Sequence, residues 1–118
     1  AVEPKVTRNP SSIKIKISQD GGYGGALVTK NKVSFKGKKS LVFTGSSSGE
    51  GNSRCCIRIW SQMATNFDTY KVAEYSFPSG GISDSTVRLD VNSLEGEYYV
   101  GLYILSVHWI EMKSMKLE

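Results

Sequence analysis

The stretch SIKIKISQ, residues 12–19, is the clearest indication of the fold of this chain. Ile13, Ile15 and Ile17 alternate there with lysine or serine. Because successive side chains of a β-strand point to opposite faces, this alternation predicts a strand with one buried and one solvent-facing side. No window of the sequence shows the helical i, i+3, i+4, i+7 spacing without an equally good strand interpretation.

The same alternation recurs between glycine-rich turns and predicts nine strands. They are residues 12–19, 26–29, 33–35, 40–44, 55–62, 70–77, 86–91, 97–105 and 109–117. Short strands with turns every ~8–12 residues predict an all-β, two-sheet antiparallel β-sandwich. Ten side chains are expected to share its core: Ile13, Ile15, Ile17, Ile57, Ile59, Val87, Leu89, Val100, Leu102 and Ile104.

The composition suits one folded domain, residues 1–118, since 39% of its residues are hydrophobic and 22% are charged. Its longest apolar run, residues 98–105, is much shorter than the ~18 residues that a bilayer-spanning segment needs. The first residues, AVEP, contain neither an initiator Met nor a signal-peptide pattern. We therefore expect a domain excised from a larger modular protein, without insertion into a membrane.

A lysine-rich stretch supplies much of the net charge of +4. One interpretation is a solubilising cluster that protects a sheet edge, and the other is an anion-binding patch. The stretch contains no arginine and, apart from Phe35, no aromatic residue, so a nucleic-acid partner is not expected. The five lysines are Lys30, Lys32, Lys36, Lys38 and Lys39.

Cys55 and Cys56 are adjacent within a predicted strand. Their side chains should therefore point to opposite faces, and a bridge between them would distort the strand. We expect two reduced thiols, of which the outward one reacts faster. Two thiols alone make a poor metal site, so neither a metal nor a cofactor is predicted.

The outer faces of two predicted strands, residues 55–62 and 97–105, suggest a binding surface. If these strands are neighbours, their non-core residues would form an exposed aromatic platform with polar neighbours, and Gly101 would leave a gap in it. Aromatic rings stack on sugar rings, and planar polar groups bind hydroxyls. The predicted ligand-binding residues are Trp60, Tyr99, Tyr103, Arg58 and Gln62.

The alternative is that these aromatic residues are ordinary strand residues, since Tyr and Trp favour strands. The face would then be covered by an N-terminal segment or a neighbouring domain. An open Trp60 ring favours a sugar site, whereas a packed Trp60 ring favours a structural module.

Catalytic patterns are weak, so we predict that the chain is not an enzyme. His108 is the single histidine, and it lies in a predicted turn where a solvated role is expected. No serine stands in a nucleophile motif. Asp20, among glycines, is interpreted as a turn residue rather than a calcium ligand. Glycosidase chemistry needs two facing carboxylates, and nothing in the sequence pairs Asp68, Glu74, Asp90 and Glu111.

The segment STVRLDVNSLEGEYYVGLYI, residues 85–104, followed by WIEMKSMKLE, resembles the last three strands of jelly-roll modules of the carbohydrate-binding and galactose-binding-like type. It is also similar to accessory domains of phage tail proteins. The resemblance covers the last third to half of the chain. It implies a jelly-roll fold and a non-catalytic module, but no family binding residue transfers. The lysine-rich first half departs from the pattern, since it lacks an acidic calcium-site strand.

These observations together predict a carbohydrate-binding or adhesion module that tethers a larger extracellular or virion protein to a glycan or cell-surface polysaccharide. Other domains of the parent protein are further expected partners. The second hypothesis is a structural or protein-interaction domain of a phage tail or other virion protein, with no sugar site.

Overall fold

The computed structural model describes residues 4–118, and this part of the chain contains ten strands and no helix. No helix in residues 4–118 is therefore long and apolar enough to cross a membrane. The strands are β1 (Lys5–Asn9), β2 (Ser12–Lys16), β3 (Gly24–Val28), β4 (Val33–Ser34), β5 (Ser40–Ser47), β6 (Cys55–Trp60), β7 (Lys71–Ser76), β8 (Ile82–Asp90), β9 (Glu97–Leu105) and β10 (Trp109–Leu117).

All nine predicted strands are present, and β1 is an addition. Its sequence KVTRN has no apolar alternation, and every residue in it is exposed. β1 forms by antiparallel pairing with β2, with Val6 opposite Ile15. A fully exposed strand that is held by backbone hydrogen bonds needs no hydrophobic alternation, so the sequence pattern did not predict β1.

The strands form two antiparallel sheets, as predicted. The first sheet has the order β1-β2-β10-β5-β8. The second has the order β3-β9-β6-β7, and β4 also pairs with β9. Six of the eight strand pairs join strands that are not consecutive in sequence, so the chain passes repeatedly from one sheet to the other. The all-β sandwich is therefore confirmed.

The core lies between the two sheets and contains most of the predicted side chains. Seven of the ten are buried in one cluster: Ile15, Ile17, Ile57, Ile59, Val100, Leu102 and Ile104. Val87 and Leu89 are partly buried and pack against that cluster. Ile13 is only half-buried, since it lines an opening between the sheets near the edge strand β3.

Candidate functional site

The two strands predicted to carry the platform are neighbours. β6 pairs with β9 in antiparallel register, which places Trp60 opposite Tyr99, Arg58 opposite Gly101 and Cys56 opposite Tyr103. These residues share one parity and therefore one outer face of the second sheet. The expected juxtaposition is thus confirmed at the level of the backbone.

The loop of residues 61–70 folds back over this outer face and covers its centre. Phe67 packs against Trp60 with ring centroids 6.2 Å apart, and against Tyr103 at 5.6 Å. The Trp60 indole Nε1 donates a hydrogen bond of 2.7 Å to the Phe67 carbonyl oxygen. Trp60 is 0% exposed, so the prediction that its ring is exposed is wrong. The loop buries the ring and satisfies its only polar atom, which stabilises the folded state.

The expected gap at Gly101 is also closed. A Cβ atom at this position would lie 2.5 Å from the Leu27 carbonyl oxygen and 3.1 Å from Cζ3 of Trp60. Glycine therefore permits close packing of β3 and the indole against β9, and a ligand cannot enter there.

Arg58 lies beneath the same loop and is 1% exposed. Its guanidinium forms ion pairs with Asp68 at 3.0 Å and with Glu74 at 3.2 Å. It also donates to the carbonyl oxygens of Phe67 and Ser53, at 3.0 and 3.3 Å. The expectation that Arg58 is an open hydroxyl-binding group is therefore wrong, because its donors hold the loop on the sheet.

Glu74 and Tyr103 complete this buried network. The Arg58 guanidinium carbon lies 3.9 Å from the centre of the Tyr103 ring, which is close enough for a cation–π interaction. Burial acts to raise the pKa of Glu74, but hydrogen bonds from Ser53 and Lys71 and the charge of Arg58 outweigh it and keep this pKa below 4.5. Tyr103 is half-buried under Phe67, so it is also a packing residue rather than part of an open platform.

Tyr99 and Gln62, the remaining two predicted residues, are brought together at the end of this sheet. They line an open depression of about 610 Å³. The Tyr99 ring is half-buried, and the Lys32 ammonium lies 5.9 Å from its centre. The whole lining is Lys32, Ser61, Gln62, Met63, Glu97 and Tyr99. This mixture of one aromatic ring, one apolar side chain and four hydrogen-bonding groups can bind a small polar ligand.

A second depression, of about 560 Å³, lies over the first sheet beside Trp109. Trp109, Lys14 and Glu111 line it, and the antiparallel register pairs Glu111 with Lys14 across β2 and β10. The Lys14 ammonium lies 4.7 Å from the centre of the Trp109 ring and occupies one of its faces. Sequence reasoning did not select this group, although the alternation along residues 109–117 places Trp109 and Glu111 on one face.

His108 is buried rather than solvated, and it connects two side chains. Its Nδ1 lies 3.1 Å from the Ser48 hydroxyl, and its Nε2 lies 2.8 Å from the Glu50 carboxylate. The Ser48 hydroxyl also accepts the Trp109 backbone N–H at 2.9 Å. This chain of hydrogen bonds ties the end of β5 to the turn that precedes β10. The expectation of a solvated turn histidine is therefore wrong.

The two cysteines are free, as expected, but both are buried. Cys55 faces the core, whereas Cys56 lies on the outer face of the second sheet, with its Sγ 3.9 Å from Oε2 of Glu74. Burial raises the pKa of Cys55 to about 12 and that of Cys56 to about 11. The two thiols point to opposite faces as predicted, but the expected fast reaction of the outward thiol is not supported, because its face is covered.

Among residues 4–118, no group of three or more His, Cys, Asp or Glu side chains is placed to hold a metal ion. Comparison with known proteins leaves the family of the chain open. No protein-family model matches it, and no curated protein matches it. The resemblance to jelly-roll carbohydrate-binding modules therefore stays a prediction.

Proposed function

We propose that this chain is a non-catalytic carbohydrate-binding or adhesion module of a larger extracellular or virion protein, and that its sugar site is the depression beside Tyr99. The observation that carries this proposal is that the half-buried Tyr99 lines one open space of about 610 Å³ together with Lys32, Gln62 and Glu97. Of the five residues predicted from sequence, Tyr99 and Gln62 are the two that remain available to a ligand.

Each lining group has a role that sugar chemistry requires. The Tyr99 ring offers an apolar surface to the C–H face of a pyranose. The Gln62 amide both donates and accepts, the Glu97 carboxylate accepts, and the Lys32 ammonium donates, which matches the mixed character of hydroxyl groups. Lys32 lies at the outer limit of a cation–π contact with the ring, so a sugar can displace it at low cost.

A shallow site of this kind binds weakly. We expect a dissociation constant on the order of 10 μM to 1 mM, equivalent to ~4–7 kcal/mol. Much of that free energy should depend on the one ring. Attachment through such a site becomes firm when several copies of the parent protein engage one polysaccharide.

The strand order supports the finer assignment of a jelly-roll fold. Apart from β1 and β4, the sheets have the orders β2-β10-β5-β8 and β3-β9-β6-β7. Eight strands distributed in this way over two antiparallel sheets are consistent with two Greek keys, the arrangement of a jelly roll.

The second candidate function is a structural or protein-interaction domain of a phage tail or other virion protein, without a sugar site. The covered outer face favours it, because Trp60 and Arg58 stabilise the loop of residues 61–70 instead of meeting a ligand. The two candidates differ in whether the depression beside Tyr99 binds a sugar, so one binding experiment distinguishes them.

The experiment is a glycan array followed by calorimetric titration of any sugar that binds. Tyr99→Ala should weaken binding by at least tenfold, and Gln62→Ala by about fivefold, which corresponds to ~1 kcal/mol for a lost hydrogen bond. Tyr23→Ala is the matched control, since Tyr23 is an exposed tyrosine, at 40%, that does not line the depression. An array without binding, or a Tyr99→Ala variant that binds as the parent does, would reject the sugar site and favour the second candidate.

A further inference from the structure

An apolar cleft enters the sandwich near the end of β3. Its larger part encloses about 400 Å³ and its smaller part about 220 Å³. Thr29, Val100 and Met115 line both parts, so the two parts adjoin. The lining residues come from β3 and β9 of one sheet and from β10 of the other, which places the cleft between the sheets.

The walls of this cleft are suited to a hydrocarbon chain. Leu27, Leu102 and Met112 line the smaller part. The hydroxyl of Thr29, at the junction, already accepts the Val100 N–H at 3.1 Å. Arg8 and the Thr29 hydroxyl are the polar side-chain groups of the smaller part, so a polar ligand would lose its hydration there and gain few partners, whereas an alkyl chain needs none. Methionine side chains are flexible and polarisable, so they adapt to such a chain.

The rim of the larger part is cationic. Lys38 and Lys116 both line it. Lys116 is paired with Glu118 at 3.3 Å, whereas Lys38 forms no ion pair within residues 4–118. Lys38 belongs to the lysine-rich stretch of residues 30–39, so the field at this rim favours an anion.

We propose that the cleft binds a free long-chain carboxylate, with its alkyl chain between the sheets against Met112 and Met115 and its carboxylate at Lys38. The cleft shares no lining residue with the depression beside Tyr99. The site is therefore independent of the proposed sugar-binding function, and each can fail without the other.

The distribution of methionines offers a direct test on the unmodified protein. The chain has three methionines, of which Met112 and Met115 line the cleft and Met63 lies outside it. Methyl-labelled protein is titrated with dodecanoate below its micelle concentration and followed by NMR. Met112 and Met115 should shift and saturate at one ligand per chain, while Met63 should not move. Equal shifts of all three methyls, or no shift, would overturn the proposal.

Chain length and charge give a second test. Each methylene removed from the dodecanoate should weaken binding about fourfold. Lys38→Glu should weaken it about fivefold, whereas Lys16→Glu, an equal charge change outside the cleft, should not. Met115→Trp should abolish binding by filling the junction, and Met115→Leu should retain it.

Vesicles of phosphatidylglycerol test whether the cleft takes its alkyl chain from a membrane lipid instead of from a free carboxylate. We expect free dodecanoate to shift Met112 and Met115 and the vesicles to leave both unchanged. Dodecylamine should bind more weakly than dodecanoate, because its head group is cationic. A response to vesicles alone, or tighter binding of the amine, would contradict the proposed ligand.

Discussion

Replacing Trp60 with alanine tests most directly whether the loop of residues 61–70 is fixed by packing. The indole is fully buried between β6 and that loop, with Phe67 against it. A buried tryptophan removes ~150–250 Å² from water, which at ~25 cal/mol per Å² amounts to ~4–6 kcal/mol. The hydrogen bond from Nε1 to the Phe67 carbonyl oxygen adds ~1 kcal/mol.

Partial collapse of the loop into the vacated space offsets some of this loss, so we expect Trp60→Ala to lower the free energy of unfolding by ~3–5 kcal/mol. That is a large part of the ~5–15 kcal/mol typical of a domain. The assay is urea denaturation followed by far-UV circular dichroism, which reports mainly on the backbone and, unlike tryptophan fluorescence, keeps its signal when Trp60 is removed.

Trp109→Ala is the control, since Trp109 is a half-buried tryptophan on the other sheet. Trp109→Ala should lower the free energy of unfolding by ~1–2 kcal/mol, because this side chain buries less apolar area on folding. Trp60→Phe, which keeps most of the apolar volume, should fall between the parent and Trp60→Ala. If Trp60→Ala lowered the free energy of unfolding by less than ~1 kcal/mol, the ring would not be holding the loop, and an open aromatic face would have to be reconsidered.

Two further predictions concern ionisable groups of β6 and β7. Cys55 and Cys56 should both react slowly with a thiol reagent at pH 8, because burial raises their pKa to about 12 and about 11. Both thiols should react quickly in denaturant. A fast reaction of Cys56 in the native protein would show that the outer face opens. Glu74→Gln should lower stability by ~3 kcal/mol at pH 7, since it leaves the buried Arg58 with one fewer anion. The pKa of Glu74 lies below 4.5 in the folded protein, so its contribution is present above that pH and is lost as the pH falls through the folded value. Parent and Glu74→Gln stabilities should therefore converge on acidification, and a constant difference would argue against the ion pair.

The covered outer face changes how the aromatic residues of β6 and β9 are interpreted. Trp60, Phe67 and Tyr103 form one layer of rings. The Arg58 guanidinium joins this layer to β9, to β7, to the 61–70 loop and to the segment before β6. This layer is a second, smaller core outside the sandwich. The loop that this layer holds at Phe67 also contributes Ser61 and Gln62 to the depression beside Tyr99.

The sequence by itself determined nine of the ten strands and, for most core positions, which side chains point between the sheets. Alternation with period two depends on the backbone of a single strand, so Ile15 and Ile17 could be assigned to the core without knowledge of their neighbours. Parity also predicted that Trp60 and Arg58 share a face with Tyr99, provided that β6 and β9 pair, and they do.

Only the tertiary structure decided which outer surfaces remain open. The 61–70 loop has no periodic pattern, and its position depends on bonds to Trp60 and Arg58 that become available only when β6 is in place. The cleft between the sheets likewise combines Leu27, Val100 and Met115 from three strands far apart in sequence. Alternation along a strand shows which side chains face the core. Whether an outer surface is exposed depends on which distant segments pack over it, and a local sequence pattern carries no information about those long-range contacts.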